Sequence, residues 1–331
     1  MTENRITRRQ FSKAVAASAA AAGMVPMVAR AQQNYPNRPV RLIVPFAAGG
    51  LADITSRLAA EKLGDKLGQR FVVENQPGPG GIAAARAVLS QAPDGYTIGL
   101  VTNGTSISGA IYKALPFDPV KEFATISTIG AFDVVFATNV ESELKTLGDF
   151  IKRARAQPGT LNVGTINVGS TQHLAAELFK ASAGLNVQIV PYRSTPDVIV
   201  ALIRNDVQLM VDFYAAMKST LDDKKIRAVA TTGKERSPFF TDVPTVAEAG
   251  VAGYEVVSWN GVFAPQGTPT DIINLLNKAI REIVATPEVK QRYADFGIEA
   301  KASTPEELKA RLAGDIGKWA AVIERAGIPK Q

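Results

Sequence analysis

The hydrophobic positions of this chain alternate between short solid runs and longer amphipathic stretches. Residues 40–44, Val-Arg-Leu-Ile-Val, predict a buried strand, and the loop Pro45-Phe46-Ala47-Ala48-Gly49-Gly50 follows it. Leu51, Ile54, Leu58, Ala59 and Leu63 then recur at helical spacing, with Gly64 and Gly68 as stop signals. Residues 71–74 predict a second strand, 76–81 a Pro/Gly turn, 82–91 a helix and 97–101 a third strand. Alternation of strand and helix predicts a parallel sheet with helices on both faces.

The pattern restarts at 161–165, a strand that runs into the loop 166–169. A helix is expected from Ser170 or Thr171, with Leu174, Leu178 and Phe179 on one face and Gly184 beyond its end. A strand at 187–190, a helix at 195–204 and strands at 208–212 and 227–231 complete a second α/β set. Extended stretches near 128–139 and 254–265 flank that set and are candidate crossovers. The helices expected at 270–285 and 304–326 would pack back on the first domain. A length of 331 residues fits two domains.

Composition adds little until the charges are located. The chain is 46% hydrophobic and 21% charged, as an ordinary globular protein is. Its net charge of +6 is concentrated at the start. Arg5, Arg8, Arg9, Lys13 and Arg30 against Glu3 give residues 1–31 a charge of +4, which leaves +2 for the other 300 residues. No basic run is interleaved with aromatics, so nucleic acid is not an expected partner. The N-terminal charges belong instead to an address. Arg8-Arg9-Gln10-Phe11-Ser12-Lys13 precedes an alanine-rich apolar stretch that ends in Ala29-Arg30-Ala31. That is the layout of a twin-arginine signal peptide over residues 1–31, cleaved after about Ala31, and it places the mature protein in the periplasm.

Several chemistries are excluded by residue type. There is no cysteine, hence no disulfide, thiolate metal site or cysteine nucleophile. His173 is the only histidine, so multi-histidine metal sites are impossible, and neither metal nor cofactor is expected. Gly78-Pro79-Gly80-Gly81-Ile82-Ala83 fits G-x-G-x-x-A between a strand and a helix. Pro79 removes a backbone N–H where a pyrophosphate needs donors, and no acidic residue follows about twenty positions on, so the segment is read as a tight turn. No nucleophile elbow accompanies His173, so the motifs offer little support for an enzyme.

The informative feature is a pair of helix starts. Ala48-Gly49-Gly50 leads into the first helix of one domain, and Asn167-Val168-Gly169-Ser170-Thr171 into the equivalent helix of the other. A helix N-terminus presents unpaired N–H groups and a partial positive charge, and glycine lets a ligand approach the backbone. Both loops lie at the carboxyl ends of strands, where open α/β sheets bind ligands. Facing each other across a cleft, they would suit a small anion. Ordinary strand–helix turns with a serine cap account for the same residues equally well.

Other segments are more specific. They include Val44-Pro45-Phe46-Ala47-Ala48-Gly49-Gly50 with Asp53 and Arg57, and Val73-Glu74-Asn75 with Pro77-Gly78 and Gly80-Gly81. Pro93-Asp94-Gly95-Tyr96-Thr97, Gly169-Ser170 with His173-Leu174, Val190-Pro191-Tyr192-Arg193 and Asp242-Val243-Pro244-Thr245 follow in order. In this the chain resembles the substrate-binding proteins of tripartite tricarboxylate transporters, the Bug family, over nearly all of its length after the signal.

The resemblance implies a type II-like periplasmic-binding-protein fold. This is an α/β architecture of two Rossmann-like lobes joined by two crossover strands, with a ligand cleft between them. Residues 34–133 plus 256–331 would form lobe 1, and 134–255 lobe 2. It implies a monomer that captures a small carboxylate (a di- or tricarboxylate, an amino acid or an aromatic acid) and delivers it to membrane transporter subunits. An extracytoplasmic sensing module and an exported enzyme on the same fold are the alternatives. By the same resemblance Phe46, Ala47, Ala48, Gly49 and Gly50 would hold a carboxylate, partly through water. Thr102, Asn103 and Thr105 would be contacts from lobe 1, and Ser170, Thr171, Asp212 and Phe213 from lobe 2.

Asp53 and His173 are further candidates, each with a competing role. Asp53 equally suits the first-turn dipole of its helix, and His173 equally suits capping or an interlobe hydrogen bond. Asp212 would repel a carboxylate and suits a hydroxyl or ammonium. Ser194, and Asn205 or Asp206, stand where the family has glycine near one rim of lobe 2, which leaves the ligand's identity open.

Overall fold

Apolar runs that can be buried on both faces become the central strands. A computed structural model describes residues 35–331. The expected signal at 1–31 lies outside them. Residues 38–331 form one unit, and in it β1 (Val40–Val44) is almost wholly buried. It runs parallel to β2 (Phe71–Asn75) and β3 (Thr97–Thr102), with helices α1 (Leu51–Leu67) and α2 (Ile82–Leu89) between them. Helix α1 continues through Gly64 and stops at Gly68, whose φ of +73° supplies the left-handed turn that ends it.

After β3 come α3 (Asn103–Ile111) and the short α4 (Pro119–Glu122), and then β4, seventeen residues from Phe123 to Asn139. β4 belongs to two sheets. Its first part, as far as Asp133, pairs antiparallel with β9 (Val257–Pro265), and β9 pairs with β3. From Val134 onward it pairs antiparallel with β7 (Leu209–Phe213) and β8 (Ile226–Thr231). In the second sheet β7 lies beside β5 (Asn162–Ile166), and β5 beside β6 (Gln188–Tyr192), all parallel. The chain returns next to where it left. The Val256 N–H donates to the Thr232 carbonyl at 2.8 Å, the Thr232 N–H donates to the Val134 carbonyl at 3.1 Å, and β9 begins at Val257.

Each sheet is therefore mixed, not purely parallel, because the strands that carry the chain between sheets enter them antiparallel. The second sheet carries α5 (Leu147–Ala156), α6 (Thr171–Ala183), α7 (Thr195–Ile203) and α8 (Tyr214–Asp222). The C-terminal region adds α9 (Thr270–Val284), α10 (Pro287–Ala294) and α11 (Pro305–Arg325).

Helix α11 departs from the expected packing on the first domain alone. Leu308 and Leu312 pack with Trp259 and Phe263, in the core of the first sheet. Trp319, Val322 and Ile323 instead join Leu174 and Phe179, in the core of the second. At 21 residues the helix is roughly 30 Å long, enough to reach both. Among the described residues no helix is long and apolar enough to cross a membrane.

Candidate functional site: a cavity ringed by helix N-termini

Each strand-to-helix turn at a strand's carboxyl end brings a helix N-terminus to the same side of its sheet. In this chain five such helices begin around one cavity of about 1080 Å³. Leu51 (α1), Gly104 next to the start of α3, Thr171 (α6), Thr195 (α7) and Ala215 (α8) all line it. Phe132 and Phe213, from the two sheets, meet edge to face at 5.0 Å between ring centroids and also line it. Phe46 and Val168, exposed at 42% and 50%, stand on opposite loops at its mouth. Among the described residues that line it, none is Lys, Arg or His, and Asp212 is the one carboxyl side chain. Any attraction for an anion must therefore come from helix dipoles, N–H groups and hydroxyls, not from cationic side chains.

The loop before α1 leaves a helix N-terminus open toward the cavity. Gly50 is the N-cap of α1, with φ −84° and ψ 172°, and no side chain caps the helix. The first N–H groups of a helix have no intrahelical acceptor, so those of Leu51 and Ala52 are left for another partner, and both residues line the cavity.

Behind the loop three side chains fix its shape. Asp53 accepts from the Gly49 N–H and from Arg57 Nε, both at 2.9 Å, on one oxygen, and from Asn75 Nδ2 at 2.9 Å on the other. Asn75 Nδ2 also donates to the Phe46 carbonyl at 3.0 Å, and Arg57 donates to Asn75 Oδ1 at 2.9 Å. Burial pushes the Asp53 carboxyl up. The bonds from Arg57, Gly49 and Asn75 outweigh it and hold the pKa below the usual carboxylate value, so the clamp stays ionised at neutral pH. Gly49, at φ +88°, occupies the left-handed conformation this turn needs.

On the opposite side Ser170 caps α6. Its hydroxyl accepts from the His173 N–H at 3.1 Å and donates to the Ile166 carbonyl at 3.3 Å. Both roles of that hydroxyl are taken within the protein. Ser170→Ala is therefore expected to cost about 1 kcal/mol of folding stability through the lost cap and to change ligand affinity by less than about threefold. Chemical denaturation alongside calorimetric titration checks the split, and a large affinity loss at unchanged stability would contradict it.

Asp212 is 1% exposed at the end of β7 and accepts from Gln172 Nε2 at 2.8 Å, from Thr195 Oγ1 at 2.5 Å and from the Phe213 N–H at 2.7 Å. Burial pushes its carboxyl above the usual range against the pull of those three bonds. Its oxygens bind protein donors at the start of α6 and α7.

Ten of the fourteen sequence candidates line the cavity: Phe46, Ala47, Gly49, Gly50, Thr102, Thr105, Ser170, Thr171, Asp212 and Phe213. Ala48 is exposed on the loop and does not line it, and Asp53 sits behind the loop as its clamp. Asn103 is buried between Thr171 and Trp319. His173 is 5% exposed, and burial lowers its imidazole pKa, so it is neutral at physiological pH. Trp259 is fully buried and donates to Asp315 at 2.7 Å, a packing position.

The cavity also takes in Gln172, Thr195, Ala215, Ser258 and Asn260, which the sequence reading did not name. Ser194-Thr195-Pro196, a cap followed by proline at a helix start, was the available signal for Thr195. Among the described residues no group of three or more His, Asp or Glu could hold a metal ion.

The model of the tripartite tricarboxylate transporter family receptor matches residues 55–328. The chain belongs to that family. BugT of Bordetella pertussis (strain Tohama I) is 31% identical over 296 residues, covering 89% of this chain and 91% of that protein. The structure of R. palustris Rpa4515 with adipate is 33% identical with a TM-score of 0.76, covering 89% of this chain and 99% of that one. MatC (Rpa3494) from Rhodopseudomonas palustris with bound malate is 30% identical with a TM-score of 0.72, covering 87% and 100%. The two sheets, the two crossings and the cavity at the strand ends are thus the periplasmic-binding-protein fold of this receptor family.

Proposed function

We propose that the protein is a periplasmic solute-binding protein that captures a small carboxylate in the cavity between the two sheets and hands it to the membrane subunits of a tripartite tricarboxylate-type transporter. The observation that carries this reading is the ring of helix N-termini, with an uncapped one at Gly50 and no cationic side chain in the lining. Such a site neutralises one carboxylate without fixing a buried counter-ion. The relatives that carry adipate and malate support a carboxylate ligand.

In this reading residues 34–133 with 256–331 and residues 134–255 are two lobes that hinge at the paired crossings, and the working protein is a monomer. The Arg8-Arg9 segment directs export, with cleavage after about Ala31. The Leu51 and Ala52 N–H groups bind one end of the ligand. Thr102, Thr105, Thr171 and the first turn of α8 serve the rest. At about 1080 Å³ the cavity sits at the upper end of ligand-site volumes, which leaves room for closure around a small molecule.

A thermal-shift screen of the purified protein against adipate, malate, aspartate and benzoate tests this. A binder present at a hundred times its dissociation constant is expected to add about 2.7 kcal/mol of stability and to raise the melting temperature visibly. No shift with any carboxylate at millimolar concentration would refute the reading.

A further inference from the structure

Helix α11 reaches the cavity wall through one chain of buried hydrogen bonds. Trp319 Nε1 donates to Asn103 Oδ1 at 2.8 Å, and Asn103 Nδ2 donates to Thr171 Oγ1 at 2.9 Å. Trp319 and Asn103 are each 1% exposed, and Thr171, at 8%, lines the cavity. The chain crosses from α11 through the first residue of α3 to the first residue of α6, linking helices of both sheets.

The direction of every bond in this chain is set by residue type. An indole N–H can only donate, so the amide oxygen of Asn103 must face Trp319. The amide NH2 must then face Thr171, and the Thr171 oxygen must accept there. Among the described residues no acceptor takes the Thr171 proton, which leaves it to the cavity. An asparagine without the indole beside it could turn its amide over and would then accept from Thr171, withdrawing that donor.

We propose that Trp319 and Asn103 are positioning residues that lock the Thr171 hydroxyl as a donor toward the ligand. This rests on the carboxylate-binding reading above and deepens it. A hydroxyl held in this way keeps its proton for an acceptor atom at its end of the cavity, such as a carboxylate oxygen. No cationic side chain is needed, and a tryptophan that never touches the ligand sets the direction of that bond.

Trp319→Phe keeps an aromatic ring but removes the N–H together with the five-membered part of the indole, so a background without the Thr171 hydroxyl is needed to separate the lost bond from the lost volume. With adipate as ligand, or malate if it binds more tightly, the variant is expected to bind about three- to tenfold more weakly, the range of one hydrogen bond. In a Thr171→Val background the same substitution should cost nothing further, and Thr171→Ser should bind like the wild type. An equal loss in both backgrounds, or no loss in either, would overturn the proposal, because a purely structural effect does not depend on the hydroxyl.

A second measurement needs no ligand. The chain has two tryptophans, so in 15N-labelled protein the Trp319 indole signal is the one that Trp319→Phe removes. It should resist solvent exchange, and Asn103→Ala should shift it and expose it to exchange. An indole indifferent to Asn103→Ala would overturn the relay whether or not any carboxylate binds. Wild-type protein that binds no carboxylate while the indole behaves as expected would count against the binding role and leave the relay standing.

Discussion

Asp133→Asn is expected to stabilise the protein at pH 8 and to leave its stability unchanged near pH 4. Asp133 is the last residue of β4 that pairs with β9, opposite Val257, and Val134 is the first that pairs with β7. Its carboxyl lies against Gly233, where an added Cβ would come within 2.8 Å of Oδ2. Burial, then the negative charges of Glu299 and Glu255, push its pKa up to about 7, with Lys301 pulling weakly the other way. A carboxyl with a raised folded pKa contributes its full stability below the unfolded value. That contribution is lost as pH rises through the folded value, here from about 4 to about 7. The ionised form is thus a cost carried by the native state at neutral pH, with an upper limit of about 4 kcal/mol for a shift of roughly three units. Asparagine has the same shape and no charge, so the difference between variant and wild type should grow from zero at pH 4 toward that limit at pH 8. Urea unfolding of both proteins across this range checks it, and a difference that is flat with pH would contradict it.

The sequence was most legible where one residue type leaves few options. β1 falls at Val40–Val44 as expected, because its four apolar residues are buried and Arg41, the one interruption, reaches Glu74 on β2. The cap at Ser170 and the left-handed glycines at Gly68 and Gly184 mark their helices in the chain as plainly as in the fold. Helix α3 was not legible. Asn-Gly-Thr-Ser-Ile-Ser-Gly-Ala-Ile has no amphipathic period, and it is helical because both faces are buried, with Ile107 and Ile111 in the second core and Ser108 bonded to the Gly80 carbonyl. The double attachment of α11 was hidden for a related reason. Its apolar stripe shows that one side is covered but not by which sheet.

At the site, the loops and most of their residues could be named from strand–helix order and resemblance. The division of labour within them could not. Asp53 as clamp and Asn103 as a link to Trp319 depend on which lone pairs are already used, and only three-dimensional contacts decide that.

Gly50→Val is the substitution with the largest expected effect on binding. Gly50 has an extended backbone that valine adopts without strain, and a Cβ there meets nothing within 4 Å. Gly49 is the position whose positive φ forbids it, and its N–H is already bound by Asp53. A valine at 50 should therefore leave the fold intact, at a cost on the order of 1 kcal/mol for a poor N-cap. Its branched side chain would stand over the Leu51 and Ala52 N–H groups that the proposal assigns to the carboxylate. Charge-assisted hydrogen bonds are worth about 1.5–3 kcal/mol each, and every 1.4 kcal/mol is tenfold in affinity, so the loss should exceed tenfold and approach a hundredfold.

The most direct measurement of the central claim is a calorimetric titration of wild type and Gly50→Val with the tightest carboxylate from the thermal-shift screen, with circular dichroism confirming that both are folded. Binding by the wild type and a loss of at least tenfold in the folded variant is the predicted result. Equal affinity in a folded Gly50→Val would contradict the assignment of the carboxylate to the N-terminus of α1.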